Sequence, residues 1–326
     1  MQSAKSNAKG AAYALLAMAI YASHDAIVKT LGERYSAIQI VFFAALLSFP
    51  LISMILLQDK REGHLRPIHP WWVTLRATTT VITGVSAFYA FSHLPLAQVY
   101  PILFATPLLI TILAIPVLGE KVGAHRWAAV VVGLVGVLIV VRPGQAELGL
   151  GHLSAIVAAL TGAVAAISVR KIGGDERTVV LLLSPLLGNI AAMGVALPAV
   201  WVPLELGDMG LMAVIALFGL FASFLQILAY RAGEAAIVAP MQYSQIIWAV
   251  FYGWFLFGEP VDGPTMLGAA VVIASGVYIV FREATANAGQ NTPVLETRGR
   301  AETVSTPRAS LISRALGLGA RNSRRG

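Results

Sequence analysis

Asp25 is the only acid set well inside an apolar run of this chain. The run, Ala11 to Thr30, reads AAYALLAMAIYASHDAIVKT and is long enough to cross a bilayer as a helix. A carboxylate at such depth is costly, so its presence points to a site. Lys29 follows one helical turn later on the same face, and His24 is adjacent. Two readings fit these residue types. Asp25 takes up and releases a proton, or binds a polar solute together with Lys29. Alternatively Asp25 and Lys29 satisfy each other near the end of the helix and fix it in place.

A second constellation comes in two copies. The stretch AQVYPILFATPLLITILAIPVLGE runs from Ala97 to Glu120, and AIVAPMQYSQIIWAVFYGWFLFGE runs from Ala236 to Glu259. Pro101 recurs as Pro240 and Glu120 as Glu259, each 139 residues on. Proline frees a backbone carbonyl and bends a helix, so Pro101 and Pro240 mark paired interruptions. The glycine before each glutamate lets its helix end. Glu120 and Glu259 are then either a pair of gate residues at opposite membrane faces or plain helix-end carboxylates held by a neighbouring helix.

Polar and aromatic side chains gather around these features. Thr79, Thr83 and Ser86 share one helix face, and Tyr89 follows them. Tyr100, Phe104 and Thr106 lie in the first copy; Gln242, Tyr243, Gln245, Trp248 and Tyr252 lie in the second. An apolar, aromatic lining with a few polar groups suits a small organic molecule. The same residues also serve as ordinary glue between membrane helices. The chain has no cysteine, no HExxH, no G-x-S-x-G and no phosphate-binding glycine loop. An enzyme, a resident metal and a cofactor are therefore not expected.

The elements that position these residues follow from composition. Hydrophobic residues are 57% of the chain and charged ones 12%, half the charged share of an ordinary soluble domain. Lipid as solvent removes the burial problem, and backbone satisfaction then demands helices. The sequence predicts an all-α integral membrane protein with ten transmembrane helices: 11–30, 37–57, 72–92, 97–120, 126–141, 152–169, 179–200, 210–230, 236–259 and 265–281. Residues 1–10 form a short leading segment, with no cleavable signal expected, and 283–326 read as a disordered basic tail. Lysines and arginines crowd the loops on one side, which predicts both termini in the cytoplasm. The net charge of +7 is then a topology signal, with no nucleic-acid partner implied. Residues 126–141 match 265–281 at a spacing of about 140, so 11–142 and 150–282 form two five-helix units. Five is odd, so the second unit enters the membrane inverted, an architecture built for alternating access.

The chain resembles the EamA-type members of the drug/metabolite transporter superfamily. The resemblance rests on the run His93-Leu94-Pro95-Leu96-Ala97-Gln98-Val99-Tyr100-Pro101, on Leu118-Gly119-Glu120-Lys121-Val122 and on Arg76. Arg231-Ala232-Gly233-Glu234 through Pro240 and Phe257-Gly258-Glu259-Pro260-Val261 repeat that pattern. It implies ten helices in inverted repeats, a multi-pass protein of a bacterial-type inner membrane, and a central cavity for a small metabolite. Asp25-x-x-x-Lys29 followed by Gln39-Ile-Val-Phe-Phe is similar to carriers of riboflavin or S-adenosylmethionine, although Ala44 stands where many relatives have arginine. Asp25 is the residue expected to serve coupling or binding, with a proton as one candidate for the coupled ion. A membrane scaffold that reuses the fold without transport is the reading from another class.

Overall fold

The protein is described by a computed structural model over residues 2–57, 66–120, 122–143, 149–173, 175–233 and 235–286. Residues 58–65 and the region 287–326, which carries most of the expected tail, lie outside the described residues. Among the described residues the chain forms twelve α-helices and two 3-10 segments. They are α1 (Gln2–Gly32), α2 (Ala37–Leu57), α3 (Pro70–His93), α4 (Leu96–Leu103), α5 (Thr106–Leu118) and α6 (Ala124–Val141). The second half holds α7 (Leu150–Ile172), α8 (Thr178–Ala196), α9 (Leu206–Ala232), α10 (Ala235–Val238), α11 (Ser244–Phe257) and α12 (Gly263–Ala286). The 3-10 segments are Leu197–Ala199 and Ala239–Tyr243.

The expected set of ten transmembrane helices is corrected here. Among the described residues, seven helices are long and apolar enough to cross a membrane, with a shorter apolar helix at Ala37–Ser53. Besides that shorter helix, two segments fall short of the count. Helix α3 carries Arg76, several threonines and His93, which dilute its apolar character. The segment expected as one helix over 236–259 is broken, and its intact part, α11, has only 14 residues. The helical membrane class itself agrees with the chain's helices.

The break in the first copy has a local cause. Pro107 lacks an N–H and its ring would clash with the carbonyl of Leu103, so α4 stops there and α5 starts afresh. Phe104 and Ala105 bridge the gap with bonds from Phe104 N–H to the Tyr100 carbonyl (2.8 Å) and from Ala105 N–H to the Ile102 carbonyl (3.1 Å). Pro101 sits inside α4, just before the break. Pro240 sits within the 3-10 segment that precedes α11.

Glycines set the closest helix approaches. A side chain at Gly136 of α6 would meet the Gly268 carbonyl of α12 at 2.9 Å, and one at Gly268 would meet the Gly136 carbonyl at 2.6 Å. Small residues let backbones come together where lipid supplies no hydrophobic drive. Helices α1 and α9 pack together, as do α3 and α7, so each pairing joins one half of the chain to the other.

Candidate functional site

Asp25 is fully buried on α1. Its Oδ1 lies 2.8 Å from His24 Nδ1, and its Oδ2 accepts a hydrogen bond from the Tyr100 hydroxyl of α4. His24 and Tyr100 are themselves buried, and His24 presents its ring edge-on to Phe88 of α3 at 5.8 Å. The group therefore ties three helices around one carboxylate. A carboxyl between an imidazole and a phenol can exchange a proton without exposing a bare charge to lipid.

Lys29 turns to a different partner. Its Nζ lies 2.8 Å from Glu259 Oε1 and donates to the carbonyls of Leu94 (2.7 Å) and Phe91 (3.4 Å). The ammonium also stands 5.3 Å from the Phe257 ring centre. Glu259 Oε2 accepts the Leu96 N–H at 3.1 Å, at the start of α4. The Gly-Glu ending explains how the carboxylate gets there. Gly258 adopts φ 61°, and the Glu259 N–H folds back to the Gly253 carbonyl at 2.9 Å, closing α11. A side chain at Gly253 would meet Glu259 Oε2 at 2.9 Å, so the missing side chain makes room for the carboxylate.

Glu120 repeats this arrangement at the other end of the bundle. Gly119 adopts φ 72°, and the Glu120 N–H reaches the Ala114 carbonyl at 3.2 Å. The Glu120 carboxylate accepts a hydrogen bond from Arg170 in the last turn of α7. Between the two ion pairs runs the 23-residue span Leu96–Leu118, about 35 Å at the helical rise. In both pairs the cation comes from the first helix of one half and the glutamate from the helix-end motif of the other half.

A polar clasp adds to the Lys29 end. Tyr35 donates to Asp208 at 2.6 Å, Arg34 pairs with Glu205 at 2.6 Å, and the Gln39 amide exchanges hydrogen bonds with Val202 N–H (3.0 Å) and carbonyl (2.7 Å). Outside the spans, the hydrogen bond from Arg34 holds the Glu205 carboxyl below its ordinary range, and the bond to Asp208 pushes the Tyr35 phenol up. At the same end Gly32 of α1 lies against Ser92 of α3, whose Cα is 3.2 Å from where a side chain at Gly32 would begin.

The lining residues separate into two groups. Phe104, at the break, meets Tyr243 of the 3-10 segment edge-on at 5.2 Å and Tyr100 at 6.0 Å. An aromatic path thus runs from Asp25 through Tyr100 and Phe104 to the second half. Gln242 lies in the same 3-10 segment, and Gln245 opens α11 with its Nε2 buried and lacking a hydrogen-bond partner among the described residues. Trp248 stacks with Tyr252 at 6.4 Å, and the Tyr252 hydroxyl bonds Ser23 of α1 at 2.7 Å. Thr83 is spent on helix contact, with its hydroxyl 2.7 Å from that of Thr161 on α7. Tyr89 stacks on His93 of its own helix at 3.9 Å. Spacing alone does not single out Tyr100 as the partner of Asp25 or Arg170 as the partner of Glu120. A signal for Arg170 does exist in the sequence, because it matches Lys29 in the repeat.

Packing differs between the two ends. At the Lys29 end α4 packs on α11 and α1 on α3. Beyond the breaks the continuations part company: α5 packs on α6 and α7, while α10 and the 3-10 segment before α11 pack on α1 and α12.

The sequence profile of the EamA-like transporter family matches residues 8–142 and again 148–282. The chain belongs to the EamA-like transporter family. It is a small-molecule transporter of a multi-pass membrane family within the drug/metabolite transporter superfamily. It is 26% identical to the S-adenosylmethionine uptake transporter of Rickettsia bellii, over 84% of this chain and 94% of that one. Identity to the riboflavin transporter of Rhizobium johnstonii is 28%, over 74% and 78% of the two chains. The pseudopaline exporter CntI of Pseudomonas aeruginosa is 24% identical over 83% of this chain and 95% of its own. A solved crystal structure shares the fold with a TM-score of 0.56 at 16% identity, covering 88% of this chain and 99% of that one.

Proposed function

We propose that this EamA-family chain carries an organic metabolite of amino-acid or vitamin size across a bacterial inner membrane by alternating access. Both termini face the cytoplasm in this reading, which the distribution of lysine and arginine supports. The observation that carries it is the pair of cross-half ion pairs, Lys29 with Glu259 and Arg170 with Glu120, at opposite ends of one span. Movement of one half against the other at either end would part the pair there, so each works as a latch on its own side. The aromatic residues at the helix breaks, Phe104 and Tyr243, sit between the latches and would hold the solute, with Gln242, Gln245 and Trp248 beside them. The packing of α4 on α11 supports a state closed at the Lys29 end. Asp25, held by His24 and Tyr100 one turn inside the Lys29 latch, is the proton-coupling group.

The relatives' names include an uptake transporter, a riboflavin transporter and an exporter, so they support a metabolite carrier without fixing direction. The test is flux of labelled S-adenosylmethionine and riboflavin into proteoliposomes, preceded by thermal-shift screening of a metabolite library. Saturable flux of a stabilising metabolite is expected. No stabilising ligand and no saturable flux of any solute would sink the carrier reading in favour of a scaffold.

A further inference from the structure

Arg76 has no carboxylate partner among the described residues, in contrast to Arg34, Arg142 and Arg170, each of which has one. It lies six residues after Pro70, the first residue of α3, about 9 Å along the helix. One of its terminal nitrogens donates to the Leu181 carbonyl of α8, while Nε is buried with no hydrogen-bond partner. A guanidinium keeps its charge under all ordinary conditions. A charge without a carboxylate partner is costly at this depth. Trp72, Val73, Ile172, Val180 and Leu181 form an apolar cluster beside it.

The facing helix supplies a second donor. Leu181, Ser184 and Gly188 recur at helical spacing and share one face of α8. A side chain at Gly188 would meet Val81 of α3 at 3.4 Å and Ala77 at 3.9 Å, so this face looks at α3. Ser184 Oγ is buried there without a hydrogen-bond partner. Two unsatisfied donors, one of them permanently cationic, therefore line one seam between the two halves.

We propose that the seam between the beginnings of α3 and α8 binds an oxyanion of the phosphate class, held by Arg76 with Ser184 as the additional donor. The planar fork of the guanidinium matches two oxygens of such a group, and the hydroxyl takes a third. The depth, about two turns from the start of α3, lies within reach of a phospholipid headgroup. A free phosphate-bearing solute carries the same chemistry. The site is separate from the Asp25 group and does not depend on how the solute is carried.

The test uses the purified full chain in a maltoside detergent, which contains no phosphate. Phosphatidylglycerol and inorganic phosphate are titrated separately, with binding read by native mass spectrometry and by thermal shift. Saturable binding of phosphatidylglycerol alone assigns a lipid; binding of inorganic phosphate, or its competition with the lipid, assigns a free oxyanion. In either case Arg76→Gln should weaken binding by at least about tenfold, as loss of a charged hydrogen bond predicts. Arg76→Lys should keep part of the affinity, and Ser184→Ala should lower it about threefold. If Arg76→Gln does not fold, Arg76→Lys and Ser184→Ala decide the matter. Unchanged binding in the folded variants, or no saturable binding of either probe to the wild type, overturns the site.

Discussion

Lys29 of the first half and Glu259 of the second meet at 2.8 Å, although Asp25 lies one turn from Lys29 on the same helix. Both side chains are mostly buried, at 11% and 15% exposure. Breaking such a pair leaves an uncompensated charge and costs about 3 kcal/mol. Lys29→Gln and Glu259→Gln should each destabilise the state closed at this end and cut transport at least about tenfold. The exchanged pair, Lys29→Glu with Glu259→Lys, should recover a good part of both. Thermal unfolding and proteoliposome flux of the four proteins check this; a double variant no better than the singles would rule out the direct pairing.

Asp25 is expected to be the titrating group of the transport cycle. Asp25→Asn keeps the shape and the Tyr100 contact but removes the exchangeable carboxyl proton. Transport should then lose its dependence on pH and fall in rate, while unfolding temperature stays level or rises because a buried amide is cheaper than a buried charge. Tyr100→Phe should slow transport and leave the pH dependence in place, because Tyr100 holds the carboxyl and does not replace it. Flux measured across a pH series for both variants provides the check. An Asp25→Asn profile that overlays the wild type would exclude the proton role.

The Asp25 group and the Lys29 latch differ in how much of each is legible in the amino-acid sequence. Asp25 stands out because a carboxylate contradicts the run around it. Glu120 and Glu259 stand out as a repeated Gly-Glu ending, and the two αL glycines account for that repetition. Their partners are not legible, because pairing across halves depends on how the last turns of α1 and α7 are brought to the ends of α11 and α5. Local spacing favours Asp25 with Lys29, whereas the folded-back helix end delivers Glu259 to Lys29 instead. The helix count fails for a different reason. Periodicity and length cannot show that the second copy begins as a 3-10 turn, which leaves α11 with only 14 residues. Nor does an apolar window register α3, whose threonine hydroxyls bond its own carbonyls and α7 and whose Arg76 reaches α8.

Gly32 offers a way to bias the conformation. Any side chain there would collide with Ser92, including its backbone, so α1 and α3 could not close. Gly32→Leu should hold the Lys29 end open and reduce net transport. The chain has no cysteine, which permits single-site labelling without background. A cysteine placed at Tyr100 should react faster with a membrane-impermeant maleimide applied from the Lys29 side in Gly32→Leu than in the parent. Equal labelling rates would show that this contact does not control access.

Gln245 separates a binding role from a structural one. Its amide nitrogen is buried without a partner among the described residues, a penalty of about 1–3 kcal/mol. A solute that brings a carbonyl or carboxylate oxygen would remove that penalty on binding. Gln245→Leu fills similar space with no donor to satisfy. The variant without solute should therefore unfold at a higher temperature than the wild type, while its half-saturating solute concentration rises about tenfold for a lost hydrogen bond to a charged group. Gln245→Glu should do worse for an acidic solute, since it sets like charges together. A purely structural glutamine predicts the opposite pattern, lower stability with unchanged solute affinity, and thermal shift with and without solute distinguishes the two.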